Sequence, residues 1–282
     1  MTPEMKTFTR IVYILSVVAI FSGCKINDEY QVYAIRFKDG YKIQAKDYVI
    51  GADLSDSVEV CNMFWLLKSR GGKNILVDAG FLDTSFKNKN YTRPDSMLLR
   101  VGLTNQDISD IIITHPHFDH INGITLFPEA RIWMQQADYE YFTGPAWQEN
   151  GDHRGFEKKD VENILSVKAR GRLNLIKGDG IEIFPGIRVY TGSKHTFENQ
   201  FLLVNSGSGK NKVLLASDAI WFSLNLEKQL PISICMDTAQ YVKAMIRMKT
   251  LVVNPDLIIP GHENKIFSKF PKVQDGIVRI EE

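Results

Sequence analysis

Between Thr114 and His120 the chain reads Thr114-His115-Pro116-His117-Phe118-Asp119-His120, so three imidazoles and one carboxylate fall within six residues. In an extended segment, residues two apart point the same way. His115 and His117 can therefore bind one metal together, and Pro116 stiffens the backbone between them. Asp119 and His120 follow at a turn and can face a second metal nearby. Imidazole and carboxylate suit zinc and similar borderline metals. A single pair of histidines two apart fits a core or surface position. Four ligand-type residues at this density fit a metal centre.

Six histidines occur in all. His195 follows a strand that ends at Thr191-Gly192. His262 follows the apolar run Leu257 to Ile259 through Pro260-Gly261. Asp218 follows the run Val213 to Ala216 in the same way. Ligands on loops at the ends of buried strands are where an α/β architecture places a site. His153 lies in the polar loop Gly151-Asp152-His153-Arg154-Gly155, follows no strand, and reads as an exposed loop residue.

The elements that must position these groups are legible as patterns. Ile111 to Ile113 is a β-branched run of the kind found in a strand buried on both faces. Met63 to Leu67 and Ile75 to Val77 flank the turn Arg70-Gly71-Gly72-Lys73. Gln31 to Phe37 and Tyr41 to Ala45 alternate around Asp39-Gly40, which predicts a hairpin. Ile181 to Ile183 and Ile187 to Tyr190 flank Pro185-Gly186. Phe201 to Val204 and Val213 to Ala216 flank Ser206-Gly207-Ser208-Gly209. Helices are predicted from Pro94 to Val101 and from Glu157 to Ala169. A third, capped by Asp237, runs through Val242, Met245 and Met248. Strands and helices interleave, with strands in excess, which points to a layered α/β domain.

Composition agrees. The 282 residues are 44% hydrophobic and 24% charged, the profile of a globular protein. The 34 basic and 33 acidic residues give a net charge of +1 with no polybasic run, which disfavours nucleic acid as a partner. Three cysteines are too few for a disulfide scaffold, and Cys61 and Cys235 read as buried free thiols.

The N-terminus reads as an export signal. Lys6 and Arg10 precede an uncharged run from Ile11 to Phe21, too short to span a bilayer as a helix, which needs about 20 residues. Phe21-Ser22-Gly23-Cys24 resembles a bacterial lipobox, although that family prefers Leu where Phe21 stands. The resemblance implies a signal peptide over 1–23, a short tether over 24–30, and a single domain over 31–282. Lipidated Cys24 would hold it at the membrane, on the periplasmic side or at the cell surface.

Five motifs together resemble the metallo-β-lactamase superfamily. They are Ile75-Leu76-Val77-Asp78, Thr114 to His120, Gly192-Ser193-Lys194-His195-Thr196, Ser217-Asp218-Ala219 and Pro260-Gly261-His262-Glu263, in the family's order. The resemblance implies a four-layer αββα sandwich with the site at one edge. It implies that His115, His117 and His195 hold one metal and that Asp119, His120 and His262 hold the other. Asp218 would bridge the two, and Asp78 would orient the cluster from behind.

Within the superfamily the chain is most similar to the N-acyl homoserine lactonases, on the stretch Ile108 to Phe142, on Leu175 to Asp179 and on Pro185-Gly186. It departs from them at Trp221, where they carry Tyr. It departs again at Lys194, where they carry Gly, and at Phe197-Glu198-Asn199, where Pro-Gly is common. The resemblance implies a hydrolase with two divalent metal ions, zinc by donor type, that opens a small-molecule lactone or ester. Asp119 would shuttle a proton to the leaving alkoxide, and Trp221 would contact the substrate carbonyl with its indole N–H. Trp221 and Phe118 would also wall an apolar pocket.

Three alternatives stand beside this reading. A thioesterase of the glyoxalase II type shares all seven ligands, but the C-terminal region lacks a basic cluster suited to glutathione carboxylates. Another carboxylic ester hydrolase is the second. The non-enzymatic alternative is a metal-binding surface lipoprotein. True β-lactamases carry Cys or Ser where Asp218 stands. Nothing in the sequence specifies an oligomeric state.

Overall fold

Strand β2 carries the run Met63-Phe64-Trp65-Leu66-Leu67, in which every side chain is buried. Only a strand covered on both faces can do this, and its two sets of side chains enter two different cores. Met63, Trp65 and Leu67 point to one, Phe64 and Leu66 to the other. The computed structural model describes residues 29–82, 90–207 and 211–281. The predicted signal peptide and Cys24 lie outside them.

The strands are β1 (Tyr30–Gln44), β2 (Ser57–Ser69), β3 (Asn74–Val77), β4 (Asp110–Ile112), β5 (Arg131–Gln135), β6 (Leu173–Ile176), β7 (Ile181–Phe184), β8 (Ile187–Thr191), β9 (Gln200–Ser206), β10 (Asn211–Ser217), β11 (Ile258–Pro260), β12 (Lys272–Gln274) and β13 (Ile277–Ile280). The α-helices are α1 (Pro94–Leu99), α2 (Phe118–Ile121), α3 (Gln136–Thr143), α4 (Lys158–Ala169), α5 (Ser223–Lys228), α6 (Thr238–Leu251) and α7 (Ile266–Lys269). One sheet runs from β1 through β6, with β3 to β6 parallel and β13 paired to β1. The other runs from β7 through β11. A single bridge, Tyr30 to Ser206, links the two.

Between the sheets lies one core, built from Val32, Trp65, Val77 and Ile112 on one side and Val189, Leu202, Val213 and Ile259 on the other. Outside the first sheet, Phe64, Leu66 and Ile111 pack with Tyr139 and Phe142 of α3 and Ile164 and Val167 of α4. Outside the second, Phe201, Leu203 and Leu214 pack with Tyr241, Met245 and Met248 of α6. These are the four layers of the expected αββα sandwich. Helix α6 starts where its cap predicts, with the Asp237 carboxylate accepting the Gln240 amide at 3.0 Å.

Two expectations are corrected. The hairpin around Asp39-Gly40 does not form: β1 continues through it, because β2 is long enough to pair with both of its arms. Asp39-Gly40 is absorbed as an irregularity, with register shifts between Arg36 and Lys38 and between Lys38 and Tyr41. The tether also ends earlier than expected. Tyr30 is a buried residue of β1, and its hydroxyl donates to the Pro185 carbonyl at 3.1 Å.

Candidate metal centre

Strand ends bring the site together. Asp78 follows β3, Thr114 and His115 follow β4, Asp218 follows β10, and His262 follows β11. His195 lies on the loop between β8 and β9. Beneath the imidazoles is a buried polar layer. Asp78 accepts the Thr114 amide at Oδ1 (2.8 Å), and at Oδ2 it accepts the Thr114 hydroxyl (2.9 Å) and the Ser217 hydroxyl (3.2 Å). His120 Nδ1 lies 2.8 Å from the same Oδ2. Four non-glycine residues among those described have positive φ, and three of them, Asp78, Lys194 and Ser217, adjoin the site. Backbone strain is thus concentrated where ligands must be aimed. Lys194, at 54°, takes the conformation a glycine adopts without strain.

Outer hydrogen bonds decide which ring nitrogen each histidine presents inward. His195 Nδ1 donates to the Ile234 carbonyl at 2.7 Å, and His262 Nδ1 donates to the Cys61 carbonyl at 2.9 Å. Each leaves Nε2 for the cluster. His117 presents Nδ1 instead, 2.9 Å from His195 Nε2. The loop Gly151 to Phe156 covers the back of its ring. Gly155 accepts the Phe118 amide at 2.9 Å, and a Cβ on it would lie 2.7 Å from the His117 ring.

Seven residues fall into two groups, His115, His117, His195 and Asp218 in one and Asp119, His120 and His262 in the other. The Asp218 carboxylate lies between them. Oδ2 is 3.2 Å from His195 Nε2 and 3.7 Å from His115 Nε2. Oδ1 is 3.1 Å from His262 Nε2 and 3.3 Å from His120 Nε2. Asp119 faces the second group, 3.6 Å from His120 and 3.7 Å from His262. His115 Nε2, His120 Nε2, His262 Nε2 and Asp218 Oδ1 are buried without a hydrogen-bond partner among the described residues. Orphaned lone pairs at that depth are costly unless something cationic meets them. The donor set fits two divalent metals sharing one carboxylate.

Electrostatics agree with that fit. Burial lowers the pKa of His115 and His117, and neighbouring imidazoles lower it further, so both stay neutral. Burial would raise that of Asp218, but His262, His120 and His115 outweigh it and hold the carboxyl well below the usual range. Burial likewise opposes charge on His120, yet Asp218, Asp119 and Asp78 raise its pKa well above the ordinary value. This anionic half of the site stands ready for a cation.

The remaining candidates differ in outcome. His153 is exposed and stacks on Trp147 with ring centroids 5.2 Å apart, as a loop residue. Cys61 and Cys235 are free; the first is buried and the second half-buried. Trp221 borders the site, but its indole N–H is already engaged and donates to Asp218 Oδ2 at 2.6 Å. The expectation that it is free to meet a substrate carbonyl is therefore corrected. Its ring walls a cavity of about 250 Å³ that opens onto Asp119, His117 and His262 and is bounded by Ile43, Tyr48, Val60 and Phe118. No sequence signal marks three further participants. Asn62 donates to Asp119 Oδ2 at 3.0 Å, Tyr241 donates to the Asp218 carbonyl at 3.0 Å, and Asn199 accepts the His195 amide at 3.0 Å.

Comparison with known proteins matches this architecture. The model of the metallo-beta-lactamase superfamily matches residues 57–262. The chain is similar to the N-acyl homoserine lactonase of Bacillus cereus, 27% identical over 217 residues, covering 71% of this chain and 80% of that protein. It is similar also to the N-acyl homoserine lactonase AttM of Agrobacterium fabrum, 25% identical over 181 residues, covering 62% and 65%. Among solved structures, a quorum-quenching N-acyl homoserine lactone lactonase superposes with a TM-score of 0.69 at 23% identity, over 90% of this chain and 98% of that one. AidC, a dizinc quorum-quenching lactonase, superposes with a TM-score of 0.65 at 16% identity, again over 90% and 98%. With its layers, its ordered motifs and its divided His/Asp cluster, the chain belongs to the metallo-beta-lactamase superfamily, as a metal-dependent hydrolase.

Proposed function

We propose that the protein opens the ring of a lactone, an N-acyl homoserine lactone or a related cyclic ester, with two zinc ions. His115, His117 and His195 would hold one ion, Asp119, His120 and His262 the other, and Asp218 both. The observation that carries the reading is the division of Asp218, one oxygen toward each group of imidazoles. The lactone is favoured by the curated relatives, which are matched over most of their length, and by the apolar cavity beside the ligands.

When bound, such a pair of ions supplies Lewis acidity, which acidifies water toward neutral pH and polarises a carbonyl. The chain's own residues do the rest. Ile43, Tyr48, Val60 and Phe118 offer an apolar wall to an acyl chain. Asp119 is the group placed to carry a proton to the leaving alkoxide. Asn62 holds one of its oxygens, and its carboxylate lines the cavity at the metal edge. Arg154 also lines the cavity, but its guanidinium is spent on Asp152 at 2.9 and 2.7 Å, which leaves it poorly placed for a glutathione carboxylate.

Ring opening of acyl homoserine lactones of several chain lengths, measured beside a glutathione thioester and simple esters on zinc-loaded protein, tests the reading. Lactones are expected to turn over fastest, and Asp119→Asn is expected to lower kcat by roughly 10²–10⁴-fold. Preferential thioester cleavage, or no ester hydrolysis at all, would overturn it. We propose separately that lipidated Cys24 holds the domain at a membrane, a reading supported by the charged start, the short apolar run and Ser22-Gly23-Cys24. Among the described residues no helix is long and apolar enough to cross a membrane.

A further inference from the structure

We infer that Trp221 is a positioning residue of the metal centre, whose indole N–H holds the Asp218 carboxylate turned so that one oxygen serves each group of histidines. The inference rests on the dinuclear reading of the site and not on which ester is cleaved.

Asp218 offers two oxygens with different surroundings. Oδ1 has no hydrogen-bond partner among the described residues and faces His120 and His262. Oδ2 faces His115 and His195 and accepts the indole N–H at 2.6 Å. A carboxylate turns freely about its last bond unless something holds it. Of the two oxygens, only the one carrying the indole has a neutral donor. The rest of Asp218 is already fixed. Its carbonyl accepts the Tyr241 hydroxyl at 3.0 Å, and Ser217 before it sits at φ 47°.

Trp221 is itself well anchored. Its carbonyl accepts the His262 amide at 3.1 Å, tying it to the β11 loop. Its ring lies edge-on to the His262 ring, with centroids 5.2 Å apart, and 5.9 Å from that of Tyr48. Indole donates one hydrogen bond and accepts none, so it can orient the carboxylate without competing for a cation. Donors and acceptors behind metal ligands typically matter 10–100-fold in metal affinity.

Two variants separate the hydrogen bond from the bulk. Trp221→Phe keeps an aromatic ring but removes the donor. Trp221→Gln loses the ring but returns an N–H about as far along the side chain. Zinc binding is read by competition with a chelating dye, and the cobalt-loaded visible spectrum reports the coordination of each ion. If the indole orients Asp218, Trp221→Phe should weaken the binding of one of the two ions roughly 10–100-fold and alter the cobalt spectrum. Trp221→Gln should lie nearer the wild type in both measurements. If Trp221 only fills space, the order reverses, with Phe near wild type and Gln impaired, and the inference falls. It falls equally if both variants bind two ions as tightly as wild type. A wild-type protein that binds fewer than two ions would instead sink the dinuclear reading itself.

Discussion

Asp78 Oδ2 sits 2.8 Å from Nδ1 of His120, and Asp78 reaches this position from a backbone at φ 64°, directly after β3. The contact fixes His120 so that Nε2 faces the cluster, 3.3 Å from Asp218. Because the same carboxylate binds the Thr114 backbone and the Thr114 and Ser217 hydroxyls, it ties three strand ends into one support. Asp78→Asn keeps the shape and removes the charge. It is expected to lower metal affinity roughly 10–100-fold with little change in far-ultraviolet circular dichroism. Unchanged zinc affinity in a chelator competition would show that His120 needs no anion behind it.

At Gly261 the chain leaving β11 passes close against the end of β10. A Cβ there would lie 2.7 Å from the Ser217 carbonyl carbon and 2.8 Å from Asp218 Oδ1. Neither can swing aside, because one is backbone and the other is the proposed shared ligand. Gly261→Ala is expected to cost about 1–3 kcal/mol of stability by overpacking and to lower metal affinity as well. A thermal melt paired with metal analysis checks both, and a variant that melts and binds like wild type refutes the tight approach.

Asp138 links helix α3 to the His195 loop. Burial pushes its carboxyl up to about 7, although the Thr196 hydroxyl and the Glu198 amide both donate to it. In the unfolded chain it loses its proton near the ordinary value of 3.8. The folded state therefore holds an extra proton between about pH 4 and pH 7, and stability from this group falls as pH rises through that window. Urea unfolding at pH 5.5 and pH 8 should show wild type losing more stability across the interval than Asp138→Asn. Referencing each pH to the variant cancels the histidines, which titrate in both proteins. Equal losses would mean that the buried carboxyl ionises freely.

Membrane attachment has a direct test. If Cys24 carries the lipid, Cys24→Ser should move the protein from the membrane to the soluble fraction of the producing cells. A protein spanning 24–282 expressed alone should remain soluble. A distribution unchanged by Cys24→Ser would mean that another segment, or none, holds it there.

How far the sequence reaches can be judged residue by residue. Thr114 to His120 announced a metal site because four ligand types lie within one local segment, where chain geometry alone limits how far apart they can be. His195, Asp218 and His262 were legible because each follows an apolar run that folds as a buried strand, and strand ends in a layered sheet gather at one edge. Local pattern also marked α4, α6 and the hairpins of β7 with β8 and β9 with β10, since periodicity records which face of each element is buried. Nothing local could say that β1 runs straight through Asp39-Gly40. The partner strand β2 decides that, by pairing with both arms. Nor could it reveal Asn62 behind Asp119, Tyr241 behind Asp218, or the N–H of Trp221 directed at Asp218 while its ring walls the cavity. Those contacts join residues distant in sequence or depend on the exact turn after β10, where Ser217 takes a positive φ. Residue type and spacing limit which groups can donate or bind. Which partner each one meets is set by distances of a few tenths of an ångström, and only the packed layers determine those.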